Sequence, residues 1–361
     1  MAIQFNFVSS MLILALLSIS SVEGQGGEGG GVIDVVAKFG AKADEKTDLS
    51  KPLLDAWKEA CALTSPSKIV IPKEIYFLSK ATLDGPCKAP IKLQVEGTVM
   101  APADPGAFKE PKWIAFNRIE NFKFSGGGVF DGQGTTAYKR EGCKGHDYCG
   151  LLPINLRFDF LTNAKIQDIT TKDNKNPNTN EIRIGRSDGV NFLNSEIKTS
   201  DDCVSIGDGS KNLVINGVTC GLHGIGIGSL GLFKNEEPID GVTVKNYTMT
   251  NTSNGVRIKS WPGVEPGTCS NIHFEDITMT NKYCPWNKCK RNEESKVKLN
   301  NISLKNFHGT SARPEAVKII CSATLPCENV EFADIEITHI SGKQNPAACS
   351  APIPAKPTPT A

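Results

Sequence analysis

Gly241-Val-Thr-Val-Lys-Asn-Tyr-Thr-Met249 is echoed thirty residues on by Asn271-Ile-His-Phe-Glu-Asp-Ile-Thr-Met279, and thirty later by Asn301-Ile-Ser-Leu-Lys-Asn-Phe-His-Gly309. A fourth copy, Asn329-Val-Glu-Phe-Ala-Asp-Ile-Glu-Ile337, begins 28 residues after the third. Earlier copies are closer, with Asn212-Leu-Val-Ile215 lying 23 residues after Gly189-Val-Asn-Phe192. In each, apolar residues alternate until a polar residue or turn breaks the strand. A unit this short cannot bury a face alone, and stacking on its neighbours makes one continuous core, so the pattern predicts a solenoid. Short strands without a long helix per unit select a parallel β-helix over leucine-rich or ankyrin repeats; a β-sandwich is the competing all-β architecture.

One helix is expected, near the start. Thr47-Asp-Leu-Ser-Lys-Pro52 offers capping residues and an early proline, and Leu53, Leu54, Trp57, Ala60 and Cys61 form a helical stripe. Such a helix would cap the open end of the coil. The expected fold is therefore all-β: a single-domain parallel β-helix with an N-terminal capping helix.

Composition narrows the function. Among 361 residues, 40 Lys and Arg face 39 Asp and Glu, a net charge of +1, which excludes a broadly basic nucleic-acid binder. The apolar run Met11-Leu-Ile-Leu-Ala-Leu-Leu-Ser-Ile19 is too short to cross a bilayer and precedes small residues. It reads as a secretory signal over residues 1–24, followed by a flexible lead-in at 25–34, the β-helix domain at 35–342 and a proline-rich extended tail at 343–361. No membrane association is expected after signal cleavage. Twelve cysteines fit export. The short intervals 143–149, 284–289 and 321–327 suit local disulfides, and Cys203–Cys220 could clip neighbouring coils; no CxxC pair suggests zinc. Asn246-Tyr-Thr, Asn251-Thr-Ser and Asn301-Ile-Ser are glycosylation sequons.

Coil spacing also collects polar residues. The apolar pairs Ile182/Ile184, Val204/Ile206 and Ile225/Ile227 recur after 22 and then 21 residues, so they should stack inward. Two residues before each pair stand Asn180, Asp202 and His223. Strict alternation would bury this polar column at high cost, so a bend before each strand should tip it, with Asp201, into a cleft. Further on, Arg257 and Lys259 alternate outward between Val256 and Ile258, while Gly224, Gly226 and Gly228 should leave a bare floor for a bulky substrate. The two cations suit an acidic polymer such as a uronic-acid polysaccharide. Each feature alone is an ordinary turn or charged face; their recurrence at coil spacing sets them apart.

Asn178-Thr-Asn180, Asp201-Asp202-Cys203, His223-Gly224 and Arg257-Ile258-Lys259 resemble, in order, the four signature motifs of the polygalacturonases, the pectin-hydrolysing family with a right-handed β-helix fold. The likeness runs from Val35-Val-Ala-Lys-Phe-Gly-Ala41 to Pro314-Glu-Ala-Val-Lys318 and is greatest for pollen-type exopolygalacturonases of plants. It implies that Asp201 is the general acid, that Asp202 helps activate water, that His223 tunes the acid, and that Arg257 and Lys259 bind the galacturonate carboxylate. Asn178, Asn180 and Tyr283 would line the substrate site. Acid and base separated by a water give an inverting mechanism. The resemblance further implies a secreted, monomeric cell-wall protein that binds polygalacturonate or pectin, without cofactor, metal or nucleic acid.

The sequence also departs from that pattern. Asn180 stands where the family has a third aspartate, and Glu181 and Arg183 replace its glycine and histidine. About one coil is absent between Asp173 and Asn178, and a strand segment is absent after Asn281. The turn before His223 is one residue shorter, and the C-terminal coil looks shortened. These changes predict a reduced or lost rate, with a non-catalytic pectin-binding protein as the alternative. A pectate lyase would need a calcium-binding acidic cluster, and none is found in the sequence.

Overall fold

The computed structural model describes residues 31–104, 107–134, 153–172, 181–198, 202–221, 224–250, 255–261, 265–280, 294–312, 317–342 and 348–350. The chain winds into a right-handed parallel β-helix. One coil reads Ile182–Gly185, Asp188–Leu193 and Glu196–Lys198. Its first strand joins a sheet of seven short strands; the other two join a much longer sheet that folds around the rest of the coil.

The expected apolar ladder is present. Ile182 pairs with Val204 and Ile184 with Ile206; these pair with Ile225 and Ile227, and those in turn with Val256 and Ile258. Leu156 and Phe158 extend the ladder in the other direction. Burial is nearly complete from Leu156 to Ile227. Below this, the core turns aromatic: Phe116 stacks on Phe158 at 4.9 Å and packs on Phe124 at 5.2 Å. Such ring pairs add about 0.5–1.5 kcal/mol beyond the burial of area.

The sequence repeats have a backbone cause. Asn163, Asn212, Asn271, Asn301 and Asn329, and Gly189 and Gly241 between them, open successive strands with positive φ. A second corner falls inside the coil at Asp168, Asn194, Gly217, Asn246, Asp276, Asn306 and Asp334, again with φ between 47° and 69°. Glycine, asparagine and aspartate adopt this conformation most readily, which fits their recurrence at these two corners; Arg118, Phe160 and Arg186 take φ of 53°, 57° and 48° at a further turn, where the preference is overridden. The amides then bond along the stack: Asn163 donates to Asn121 at 2.6 Å, Asn301 to Asn271 at 2.5 Å, and Asn246 to Asn216 at 2.8 Å. From Lys211–Cys220 onward the two long-sheet segments fuse, giving strands such as Ile239–Thr250, Gly267–Thr280 and Val297–Ser311.

The helix Ser50–Ala62 buries Leu53, Ala56, Trp57 and Ala60. Leu54, expected on that stripe, is exposed, because the buried face centres on the 53/56/57/60 positions. Trp57 donates its indole N–H to the carbonyl of Asp84 at 3.0 Å, and its ring meets Phe122 edge-on. The N-terminus is held by Asp48, which accepts from the backbone and hydroxyl of both Ser50 and Ser79. Burial pushes the Asp48 carboxyl up, but those bonds outweigh it and hold it below the usual range.

Disulfides join Cys61–Cys87, Cys203–Cys220 and Cys321–Cys327; the expected pairs 143–149 and 284–289 lie outside the described residues. Cys269 is a buried free thiol, pushed up to about 12 by burial and by Asp240. Two boundaries differ from expectation. Val32–Asp34 already pairs with the next coil, and Ala348–Ser350, within the expected tail, pairs with Lys318–Ile320. The signal segment at 1–24 lies outside the described residues.

Candidate functional site

Asp202 precedes the strand Val204–Ile206 on the seven-stranded sheet, and Arg257 and Lys259 lie on Val256–Ser260, two strands along. Arg257 bonds one carboxylate oxygen of Asp202, and Lys259 Nζ bonds the other at 2.8 Å. Asp202 retains 1% of its side-chain exposure, against 30% for Arg257 and 31% for Lys259. Among the described residues, the Asp202 carboxylate thus holds two cations, each still partly open to solvent. Reaching across the intervening strand, the carboxylate lies over Gly226, where a Cβ would collide with it.

That contact corrects one expectation. Gly224, Gly226 and Gly228 are buried and form no bare floor. A Cβ on Gly226 would meet Asp202, and one on Gly228 would meet the backbone of Lys259. These glycines let the chain's own polar groups approach the sheet closely. The device recurs on the neighbouring strands: a Cβ on Gly185 would come within 2.9 Å of Asp159, and one on Gly207 within 2.7 Å of the Arg183 guanidinium.

The backbone around Asp202 is fixed on three sides. Its carbonyl accepts from Glu181 N–H at 3.2 Å, and the following Cys203 N–H donates to Gly224 at 2.9 Å. Cys203 is then bound to Cys220, whose sulfur accepts from Tyr247 Oη at 3.0 Å. Burial, and next the charge of Asp202, push the Tyr247 phenol far up, so it stays a neutral donor. Tyr247 was not expected at the site, although a signal existed: its partners in the ladder, Val218 and Ile277, carry no hydroxyl. Asn155 and Glu181 form a second buried pair, the amide donating at 2.6 Å.

Of the expected site residues, the structure brings Asp202, Arg257 and Lys259 together. Asp201, His223, Asn178, Asn180 and Tyr283 lie outside the described residues. Among the described residues, no group of three or more His, Cys, Asp or Glu is placed to hold a metal ion, and no helix is long and apolar enough to cross a membrane.

Comparison with known proteins places these features in a family. The profile of glycosyl hydrolases family 28 matches residues 61–176 and 172–355. The two stretches meet where the sequence suggests a missing coil. A polygalacturonase of Gossypium hirsutum is 55% identical over the whole of both chains. That alignment runs to 411 positions against 361 residues here, so at least 50 of the relative's positions have no counterpart. An exopolygalacturonase of Oenothera organensis is 48% identical over 83% of this chain and 92% of its own. Among solved structures, an endo-xylogalacturonan hydrolase from Aspergillus tubingensis superposes with a TM-score of 0.64 at 21% identity, covering 89% of this chain and 99% of the other. An exopolygalacturonase from Thermotoga maritima gives 0.61 at 18%, covering 85% and 88%. At those identities the structures speak for the fold alone.

Proposed function

The chain belongs to glycosyl hydrolases family 28, and from that premise we propose that it is a secreted enzyme hydrolysing α-1,4-galacturonosyl bonds of pectin with inversion. The observation that carries this reading is the Asp202–Arg257–Lys259 cluster, a buried carboxylate holding two half-exposed cations. An incoming galacturonate carboxylate would accept charge-assisted bonds from Arg257 and Lys259, each worth roughly 1.5–3 kcal/mol. As the cations turn to the substrate, Asp202 regains lone pairs with which to orient the attacking water. Asp201, the adjacent residue, would protonate the departing glycosidic oxygen, and His223 would tune it. Asn178, Asn180 and Tyr283 would contact the sugar.

Asn180 limits the rate. An amide takes no proton at neutral pH, so Asp202 must activate water alone, and general-base catalysis is worth about 10²–10⁴-fold. The test is the release of new reducing ends from polygalacturonate by the wild type beside Asn180→Asp. A rise in rate in the variant is expected; no rise would remove position 180 from the water site. Uronate-dependent retention on pectin without any new reducing ends, in either protein, would leave a binder and end the enzymatic reading.

A further inference from the structure

Three arginines crowd the seven-stranded sheet on the N-terminal side of Asp202, and three carboxylates, Asp159, Asp208 and, toward Arg186, Glu237, answer them. Arg157 Nε bonds Asp159, and Arg186 grips Asp208 with Nε and Nη2 at 3.0 and 2.9 Å. Arg183 is the third. Asp159 and Asp208 act on it through space, but each is already bonded to another arginine, and Arg183 makes no hydrogen bond or ion pair to another described residue. It is half-buried, with its guanidinium drawn over Gly207, where the missing Cβ makes room. Burial foremost, and the repulsion of Arg157 and Arg186, push its pKa down. A guanidinium so placed has lost part of its hydration and gained no bonded partner among the described residues.

Its position is in register with the candidate site. Arg183 pairs with Ser205, Ser205 with Gly226, and Gly226 with Arg257. Three strand spacings separate Arg183 from Arg257, about 14 Å along the helix axis. Asp202, lying over Gly226, falls between them.

We infer that Arg183 is a second carboxylate-binding position, which engages a distant uronate of the same polymer when Arg257 and Lys259 hold one near the reacting bond. The inference rests on the proposed pectin-directed function and adds a length preference to it. Arg157 backs the position by occupying Asp159, which would otherwise compete for the guanidinium.

Titration calorimetry of the full chain with digalacturonate and hexagalacturonate tests this. Arg183→Gln should weaken hexamer binding about tenfold, as expected for one half-exposed charge-assisted bond, and leave the dimer unchanged. Arg183→Lys should recover part of the loss, and a methyl-esterified hexamer should be indifferent to the substitution. Equal losses for both lengths, or none, would overturn the inference. If Arg183→Gln does not fold, the wild type still decides: hexamer binding should fall more steeply with salt than dimer binding, and equal slopes would overturn it. A wild type that binds neither oligomer would sink the pectin-directed reading itself, whereas a wild type that binds both while Arg183→Gln changes nothing would remove only the second position.

Discussion

The coils from Ala81–Asp84 to Val256–Ser260 pass through two sheets that both point apolar residues inward, yet the outward faces of the two sheets differ. On the long sheet, outward side chains are solvated and weakly paired, as where Lys305 meets Glu331 at 3.0 Å with 43% and 59% of their side chains exposed. On the seven-stranded sheet, the outward groups Asp159, Asp202 and Ser205 are buried, and glycines let them lie close. The long sheet keeps its corners with asparagine ladders. The short one uses its irregular ends to bring charges together. A solenoid can therefore confine chemistry to one face without altering its repeat.

The sharpest way to break this contrast is Asp202→Asn. Removing one partner from a buried ion pair costs roughly 3–5 kcal/mol. Because Arg257 and Lys259 stay partly exposed, we expect about 3 kcal/mol, read as a lower urea midpoint with an unchanged slope. A loss under about 1 kcal/mol would mean that the cluster is solvated like the long sheet's pairs. Gly226→Ala should come next, at about 2 kcal/mol, because its methyl group overlaps the Asp202 carboxylate. Weakened uronate binding should accompany it; a neutral result would show that the carboxylate swings aside freely.

On the long sheet the expected weak points are corners. Asn306 has φ of 56° and donates to Asp276 at 2.5 Å. Asn306→Ala should cost about 1 kcal/mol for the left-handed backbone, and Asn306→Gly should be close to neutral, as Gly217 already is at an equivalent corner. If glycine costs as much as alanine, the amide ladder and not the backbone supplies the stability there.

These differences explain what could be read in advance. The inward ladder was legible because alternation and coil spacing write it into the order of residues, from Ile182 to Ile227. The corner asparagines were visible only as repeats; their cause, positive φ, is a property of backbone turns that Asn and Gly tolerate. The pairing of Asp202 with Arg257 and Lys259 was half legible, since spacing brought them near but gave no sign that they bond one another. Gly226 misled for a related reason. An outward glycine reads as empty space, whereas a side chain from the preceding coil fills it. Arg183 was visible as a departure from the family pattern and Tyr247 as a lone hydroxyl in its ladder, but their surroundings, a guanidinium without a bonded partner among the described residues and a buried phenol bonded to Cys220, are tertiary facts.

Glu331→Gln is the same chemical change as Asp202→Asn, a carboxylate to its amide, placed on the long sheet. Lys305 and Glu331 meet diagonally from neighbouring strands, both exposed to water. Their attraction is screened, and holding two long side chains in place costs entropy, so such pairs are worth about 0.2–1 kcal/mol. The loss should shrink further as salt rises past the point where the Debye length falls below about 10 Å. The two substitutions should thus differ severalfold in unfolding free energy when measured in one buffer. Should they match, burial on the short sheet would contribute nothing to holding its charges, and the position of Asp202 would be set by its backbone, held by the bonds of Glu181 and Cys203 and by the Cys203–Cys220 disulfide.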